Sequence, residues 1–583
     1  MRAVQETRHR NLESEVAPIR LIGDAVLSAF FGADKPKPRE KARADIESYI
    51  SGMPPRRDLL EEASKRLRSG EYGVSPFHWQ VEYPDVFIRE NGGFDAVVGN
   101  PPFLGGSYIT RSYGAEYFSY LVQNYPGCIH HCDYVGYFVR RNFEIVRGDG
   151  IVGVIATKTI AQGDTREGAL HNILGSGGQI IRARRSFAWP GEASVFVVVL
   201  HIIKEALKIQ PDLDGALVSR ISAFLVPGTE DSSPLRLAGN PYVSQGSQIY
   251  GKGFLFDDTD GASNPIARMQ EILADRPDLK TRIMPFIGGD EVNSESNQSS
   301  HRYVIFLSDL KDELELNNYA PLEEIVREKV LPERMRLRDT SSGRQLKKKW
   351  WAYQAHRPTL YEKAKHIDRV IVNSLVSSHL SFVFVPSASV FSHKLGVIPS
   401  DKSSLFACVQ SRPHEVWTRF LSAPVGDGVS YSPTDCFSTF PFPVNFEANL
   451  NLNSAGESYH AFRAQMMLDR GEGLTATYNR FHARGDNKAD IARLRELHAE
   501  MDAAVLRAYG WDDLADRAVP EFIEQDADEG KTPKTRLDWP AEFKDEVLAR
   551  LLALNAERAV AERAAGLTAA PEEDELVDSE EAE

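Results

Sequence analysis

The sequence predicts an α/β protein in which a partly parallel sheet is followed by a mixed α/β domain and a helical C-terminal region. Three observations carry that expectation. Four apolar runs, FDAVVG (94–99), IVGVIAT (151–157), GQIIRARRSF (178–187) and ASVFVVVLHII (193–203), alternate with helical stretches, the pattern of strands buried on both faces. Beyond them the alternation gives way to short β-like segments, turn residues and aromatics, as in Tyr303–Phe306, Val370–Val372 and Phe382–Val385. Helical periodicity then returns, with Ile491, Leu494, Leu497, Met501 and Val505 spaced for one helix face. At 583 residues the chain exceeds one ordinary core, and roughly 150 residues per domain suggests about three or four units.

Taken in order, residues 1–76 read as helical, with Ile19, Ile22, Ala25, Val26, Ala29 and Phe30 on one face. A break at ADKPKPRE follows, then two amphipathic helices. Residues 77–205 carry the four strands; the last two are close enough in sequence to form an antiparallel hairpin. Residues 206–460 form the mixed domain and residues 461–560 the helical region. Residues 561–583 form a tail ending in PEEDELVDSEEAE, whose eight acidic side chains and lack of basic ones predict a solvated, disordered segment. No internal repeat is found.

The composition excludes several classes. No apolar run approaches the ~20 residues that cross a bilayer, and the N-terminus lacks the apolar core of a secretory signal, so a cytoplasmic location is expected. Four cysteines suit buried thiols in a reducing compartment better than a disulfide framework. The net charge of -15 argues against bulk coating of nucleic acid. Basic residues nonetheless cluster at Arg182-Ala183-Arg184-Arg185 and from Arg344 to Arg357.

Chemistry concentrates where FDAVVG runs into Asn100-Pro101-Pro102-Phe103. Prolines fix φ and remove backbone donors, so the Pro101 carbonyl and the Asn100 side-chain oxygen can both accept from one exocyclic amine. Phe103 offers a planar base a stacking surface once it has left the duplex. In α/β sheets, ligands sit at the carboxyl ends of strands, where this tetrapeptide falls. The plainer reading is a proline-rich strand exit with ordinary turn chemistry.

Context favours the first. FHWQVEYPDVF (77–87), GGFDAVVGNPPFLGG, DYVGYFVRRNFEIV (133–146), GDGIVGVIATKTI and SFAWPGEASVFVVVLHI follow one another in the order of a known family. PFIGGDEVN, KKWWAYQAHRPTLYE and SRPHEVWTRFLSAPVGDGVSYSPTDCFSTFPFP continue the series. Together they resemble the adenine-specific (class gamma) DNA methyltransferase and specificity portions of type IIG restriction-modification enzymes and of related BREX- and DISARM-type phage-defence methyltransferases. The resemblance implies a partial Rossmann-like methyltransferase sheet holding strands 4 to 7 of the order 3-2-1-4-5-7-6, with FDAVVG left as an edge strand. It also implies a target-recognition domain on double-stranded DNA and S-adenosyl-L-methionine as cofactor. Asn100, Pro101, Pro102 and Phe103 become catalytic, Asn100 also touching the cofactor, and Arg344, Lys347, Lys348, Lys349 and Arg357 become DNA-binding.

The sequence departs from the family upstream of Asn100. No G-x-G precedes it, so the cofactor loop, the ribose-binding acid and the nuclease are missing. A second polypeptide supplying the cofactor half is expected; a truncated, non-catalytic DNA-binding fragment and a cytosine-N4 methyltransferase remain alternatives. Gly148-Asp149-Gly150-Ile151-Val152-Gly153 matches G-x-G-x-x-G but follows a helix and opens a strand, so it reads as a turn. Cys128-Ile129-His130-His131-Cys132 lacks a distant partner pair, and no metal site is expected. Trp350 and Trp351 suit either a phosphate-gripping surface or a core beneath a solvated basic face. His414 and Trp417 read as packing residues, and Asp435, Ser438 and Thr439 as turn caps or readers.

Overall fold

The computed structural model describes residues 2–33, 35–129, 131–188, 196–205, 207–422, 424–425, 428–524 and 535–569. The chain divides into two compact units, Met1–Ser233 and Pro234–Glu583. No helix among the described residues is long and apolar enough to cross a membrane.

The first unit opens with α1 (Arg2–Phe31), α2 (Pro36–Ser51) and α3 (Arg57–Arg68), as the periodicity predicts. They close on Ala25, Ala29, Ile46, Leu60 and Ala63. Asp24, buried among them, accepts from Arg68 Nε at 2.6 Å and Ser64 Oγ at 2.7 Å and lies 2.9 Å from His78 Nε2, which ties α1 to α3 and to the segment entering the sheet. Two single turns, α4 (Trp79–Glu82) and α5 (Pro84–Phe87), lead into β1 (Phe94–Gly99). Then come α6 (Gly106–Tyr113), α7 (Ala115–Asn124), α8 (Tyr134–Ile145), β2 (Val146–Ala156), a helical stretch at 163–175, β3 (Gln179–Ala188) and β4 (Phe196–Ile203).

The sheet order is β1-β2-β4-β3, extended by two short strands, β5 (Asp212–Leu213) and β6 (Ala216–Leu217). β1 runs parallel to β2, β2 antiparallel to β4, and β4 antiparallel to β3, so the expected hairpin and the expected edge position of β1 are both present. One face packs Val152, Val154, Ala156, Val198, Leu200, Ile202, Ile180 and Ala183 against Val135, Val139 and Phe143 of α8 and Leu170 and Ile173 beyond β2. The glycines of 148–153 lie within β2: Phe94 pairs with Val146 and Ala96 with Ile151, so residues 147–150 bulge out opposite Asp95. A Cβ on Gly150 would come 2.8 Å from the Phe94 carbonyl oxygen, a close backbone approach and a packing reason for glycine there.

Residues 207–233, past the expected boundary at 205, fall in this first compact unit. Leu213, Ile221, Ala223 and Leu225 complete its core, a long-range association that local composition does not announce. Asp212 and Asp214 also pair with Arg184 (2.6 Å) and Arg185 (2.6 Å), and Asp212 with Arg182 (3.2 Å), which neutralises that basic cluster.

In the second unit, one sheet orders Phe382–Pro386, Arg369–Ser374, Leu395–Ile398 and Ser244–Gln245; another orders Val390–Phe391, Ile283–Ile287, Tyr303–Ile305 and Leu255–Phe256. The wholly buried helix Ser403–Gln410 lies under helix Leu450–Arg470, which in turn packs on helix Ala489–Ala508. Helix Leu450–Arg470 runs unbroken through residue 460, capped at its start by the Asn449 side chain, so no boundary falls there. Helix Ala541–Ala564 likewise passes residue 560, and most of the expected acidic tail, residues 570–583, lies outside the described residues.

Candidate functional site

β1 ends at Gly99 and delivers Asn100 at the carboxyl end of the sheet. The Asn100 side chain is exposed and makes no hydrogen bond among the described residues, so both ends of its amide face outward unpaired. Pro101 is buried and Pro102 exposed; Phe103 presents 41% of its surface. The strap is fixed immediately after the ring. Leu104 donates its N–H to Asp133 Oδ1 at 3.3 Å, and its carbonyl accepts the Tyr134 N–H at 2.8 Å. Asp133 caps α8 by accepting the Val135 N–H at 3.1 Å, and its own N–H donates to Thr165 Oγ1 at 2.9 Å. An unpaired amide and an open ring are thus held by a backbone anchored on both sides.

Sequence reasoning did not single out Asp133 or Thr165; an aspartate just before an apolar helical run was the available N-cap signal for the first. It also passed over Thr157-Lys158-Thr159. β1 and β2 are parallel and Gly99 pairs with Val154, so this segment leaves the same end of the sheet as Asn100. The Thr157 and Thr159 hydroxyls share a hydrogen bond of 2.6 Å. An aromatic groove of about 900 Å³, lined by Tyr72, Trp79, Tyr113, Tyr117 and Tyr134 among others, includes neither Asn100 nor Phe103.

Cys128 and Cys132 are fully buried beside one another in an apolar cluster with Ile109, Leu121 and Tyr137. His130 lies outside the described residues, and His131 donates its backbone N–H to Asp164 at 3.3 Å. No three His, Cys, Asp or Glu side chains converge as metal ligands among the described residues.

In the second unit Trp350, Trp351 and Tyr353 are core residues, the Tyr353 hydroxyl donating to the Ile305 carbonyl at 2.7 Å. Arg344, Lys348 and Lys349 are exposed and Lys347 half-buried on and after helix Ser341–Lys348. Arg344 pairs with Asp339 at 3.3 Å, whereas the three lysines have no ion pair among the described residues. Arg357 differs: it is 8% exposed with left-handed backbone (φ 62°), so burial removes it from the basic face expected of it. Arg336 and Arg338, which the sequence pattern did not mark, are exposed just before that helix and also lack ion pairs among the described residues. His414 and Trp417 are fully buried, Trp417 donating to Thr439 Oγ1 at 3.0 Å, and burial pushes the His414 imidazole down to about 4.

S-adenosylmethionine does not fit the residues at the end of β1. A Cβ on Gly99 would meet nothing within 4 Å, which is open space and no cradle. Among the described residues β1 has no strand neighbour on its outer edge to carry a nucleotide-binding turn or a ribose acid, and Asn100 alone is not a donor set.

Residues 37–174 match the family model of the Eco57I restriction-modification methylase, and residues 233–444 that of the MmeI target recognition domain. The first match contains β1, Asn100–Phe103, α8 and β2; the second begins where the second unit does. Among solved structures, the type IIL restriction-modification enzyme MmeI in complex with DNA aligns with a TM-score of 0.53 and 17% identity, covering 86% of this chain and 63% of that one. The type IIG restriction endonuclease BpuSI aligns at TM-score 0.27 with 10% identity (71% and 54% covered). A DrdV–DNA complex aligns at 0.29 with 10% identity (64% and 44% covered). The chain spans less than two thirds of each of these structures. No curated protein matches it. By these matches the chain is similar, over residues 37–174, to restriction-modification methylases, and its fold is like that of the type IIL enzyme MmeI. More particularly, it joins an Eco57I-type methylase segment to an MmeI-type target recognition domain.

Proposed function

We propose that the chain is the target-holding part of a site-specific DNA adenine-N6 methyltransferase of the restriction-modification or phage-defence kind, acting with a second polypeptide. The observation that carries this is the unpaired Asn100 amide beside the exposed Phe103 ring, at the end of a strand inside a methylase-family segment. The second unit would grip duplex DNA through phosphates, using Lys347, Lys348 and Lys349 among other groups, and read base edges in a groove. The target adenine would leave the stack and lie on Phe103. The Asn100 side-chain oxygen and the Pro101 carbonyl would then accept both hydrogens of the exocyclic amine and hold it in one orientation. Positioning by a rigid strap supplies the rate advantage assigned to these residues, and no general base of shifted pKa is invoked. Methylases of this kind typically take the methyl group from S-adenosylmethionine, and the residues described at the end of β1 offer that cofactor no pocket.

Two other readings compete. Cytosine-N4 methylation needs the same amine geometry. The absence of a cofactor cradle beside Gly99 favours a DNA-binding specificity fragment without catalysis. The deciding experiment selects bound duplexes from a random pool, then measures methyl transfer to the selected DNA with the chain alone and with the polypeptide encoded by the adjacent upstream reading frame. The products are identified by nucleoside mass spectrometry. N6-methyladenine formed only with both polypeptides, and lost in Asn100→Ala with DNA affinity retained, is the expected result. N4-methylcytosine would replace the adenine reading, and DNA binding without transfer under any condition would establish the fragment.

A further inference from the structure

One aromatic residue of the second unit is held in a backbone conformation that its side chain opposes. Tyr250 has φ 34°, the one aromatic among the described non-glycine residues with positive φ, and Gly251 follows at φ 127°. Left-handed backbone in a bulky residue persists only where its surroundings over-determine it, and such positions cluster at ligand clamps. Both flanks of this turn are pinned. Gln248 exchanges two backbone hydrogen bonds with Ala355, of 3.0 Å and 3.2 Å, and Phe254 beyond the turn is fully buried. Tyr250 itself presents 49% of its surface, and its hydroxyl makes no hydrogen bond among the described residues.

Arg334 holds the ring from beneath. Its guanidinium is wholly buried and lies over one face of the Tyr250 ring, 5.1 Å from the centroid. Arg334 Nη2 donates to the Tyr250 carbonyl at 2.8 Å and to the Ala352 carbonyl at 3.2 Å, while Ala352 donates its own N–H to the Lys349 carbonyl at 3.0 Å. One nitrogen thus ties the turn to the segment that carries Lys347, Lys348 and Lys349. Arg334 Nε and Nη1 are buried without a partner, and a cation removed from water binds an aromatic face more strongly. With one face on the guanidinium, the exposure of the ring falls on the other.

The charges around the turn select what that open face can meet. Arg336 and Arg338 follow Arg334 closely in the chain and are exposed, as are Lys348 and Lys349. Of the carboxylates near the turn, Asp260 is neutralised by Lys252 at 2.7 Å, and Glu333 brings an oxygen to 3.7 Å from a Cβ placed on Gly251. Glu333 repels a phosphate from the turn itself, whereas the cations on the neighbouring segment attract phosphates. A fixed, open π surface with phosphate-binding groups a short way off suits a nucleobase, whose flat face is neutral and whose phosphates lie beyond the sugar.

We propose that Tyr250 is a base-stacking residue of the second unit, its open face packing on a nucleobase of bound duplex DNA. A ring reaches a base face inside a duplex only where a base step is partly unstacked, so the bound DNA is opened at that step. The proposal rests on the reading of the second unit as a DNA grip and is independent of methyl transfer.

The full chain is titrated by fluorescence anisotropy, across a salt series, against a duplex selected from a random pool. Wild type, Tyr250→Phe and Tyr250→Gly are compared. Glycine suits the left-handed backbone, so Tyr250→Gly keeps the fold, checked by thermal unfolding, and removes the ring alone. Its expected affinity loss is about 5- to 150-fold, the worth of one base–aromatic stack. The salt slope should stay unchanged because no phosphate contact is removed, and Tyr250→Phe should bind as wild type does. With 5-iodouracil placed singly along the duplex, irradiation should crosslink Tyr250 at one position or two adjacent ones, identified by peptide mass spectrometry. Unchanged affinity in Tyr250→Gly, a loss accompanied by a shallower salt slope, an equal loss in Tyr250→Phe, or crosslinks confined to other residues would each overturn the proposal. A wild-type chain that binds no duplex would sink the DNA reading and the proposal together, whereas DNA binding indifferent to Tyr250 would sink the proposal alone.

Discussion

At the scale of single residues, the proposed roles of Asn100, Pro101, Pro102 and Phe103 rest on local chemistry: two fixed φ angles, one amide and one ring, which the sequence displays without a distant neighbour. What holds them was not legible, because Asp133 lies on a different element and reaches Leu104 only through the fold. It does two jobs, capping α8 and anchoring the strap. Asp133→Ala should cost about 1 kcal/mol through removal of the cap and lower the melting temperature by about 2–4 °C. Asp133→Asn, which keeps the acceptor, should restore most of both. Thermal unfolding of the two variants, with methyl transfer measured beside it, checks this. Equal losses in both variants would mean that charge, and not the acceptor geometry, is what matters. Arg357 shows the converse failure. It belongs to the same basic run as Lys347–Lys349, but a left-handed turn buries it, and residue type alone does not say which way a turn sends a side chain.

At the scale of elements, strand and helix types followed from periodicity, and the tryptophans at 350 and 351 took the core position beneath a basic helix end. If that end grips phosphates, replacing Lys347, Lys348 and Lys349 together by alanine should weaken binding to all duplexes alike. The slope of log affinity against log salt should become shallower by about 0.9 for each phosphate no longer neutralised, read by fluorescence anisotropy across a salt series; an unchanged slope would remove these lysines from the DNA surface. The helices Arg412–Leu421 and Ala489–Ala508 are joined by a buried pair: Asp502 Oδ1 accepts the Arg412 N–H at 2.8 Å and its other oxygen takes the guanidinium. Burial alone would push the Asp502 carboxyl up, but His498 and Arg412 outweigh it and hold the group below its ordinary value. Arg302 does the same for buried Glu291. A carboxyl depressed in the folded state contributes stability that is fully present above the unfolded value of about 4 and is lost as pH falls through the folded value. The urea midpoint should therefore be flat from neutral pH to about 5 and fall below about 4. In Asp502→Ala, which leaves a buried arginine unpaired, the loss at neutral pH should reach about 3–5 kcal/mol.

At the scale of the whole molecule, the net charge of -15 and the local basic helix coexist because charge on a folded chain is a matter of place: Arg182, Arg184 and Arg185 are neutralised by Asp212 and Asp214, while the lysines at 347–349 form no ion pair among the described residues. Amino-acid order by itself determined the class of each segment and placed an amide, two prolines and a ring at the end of the first long strand, because alternation, periodicity and proline act over a few residues. Only the tertiary structure decided that residues 207–233 complete the first core and that helix Leu450–Arg470 crosses the expected boundary. Those outcomes depend on which distant surfaces meet, and burial of apolar area is non-directional: it rewards any good partner, and the chain's path through space selects which one is found.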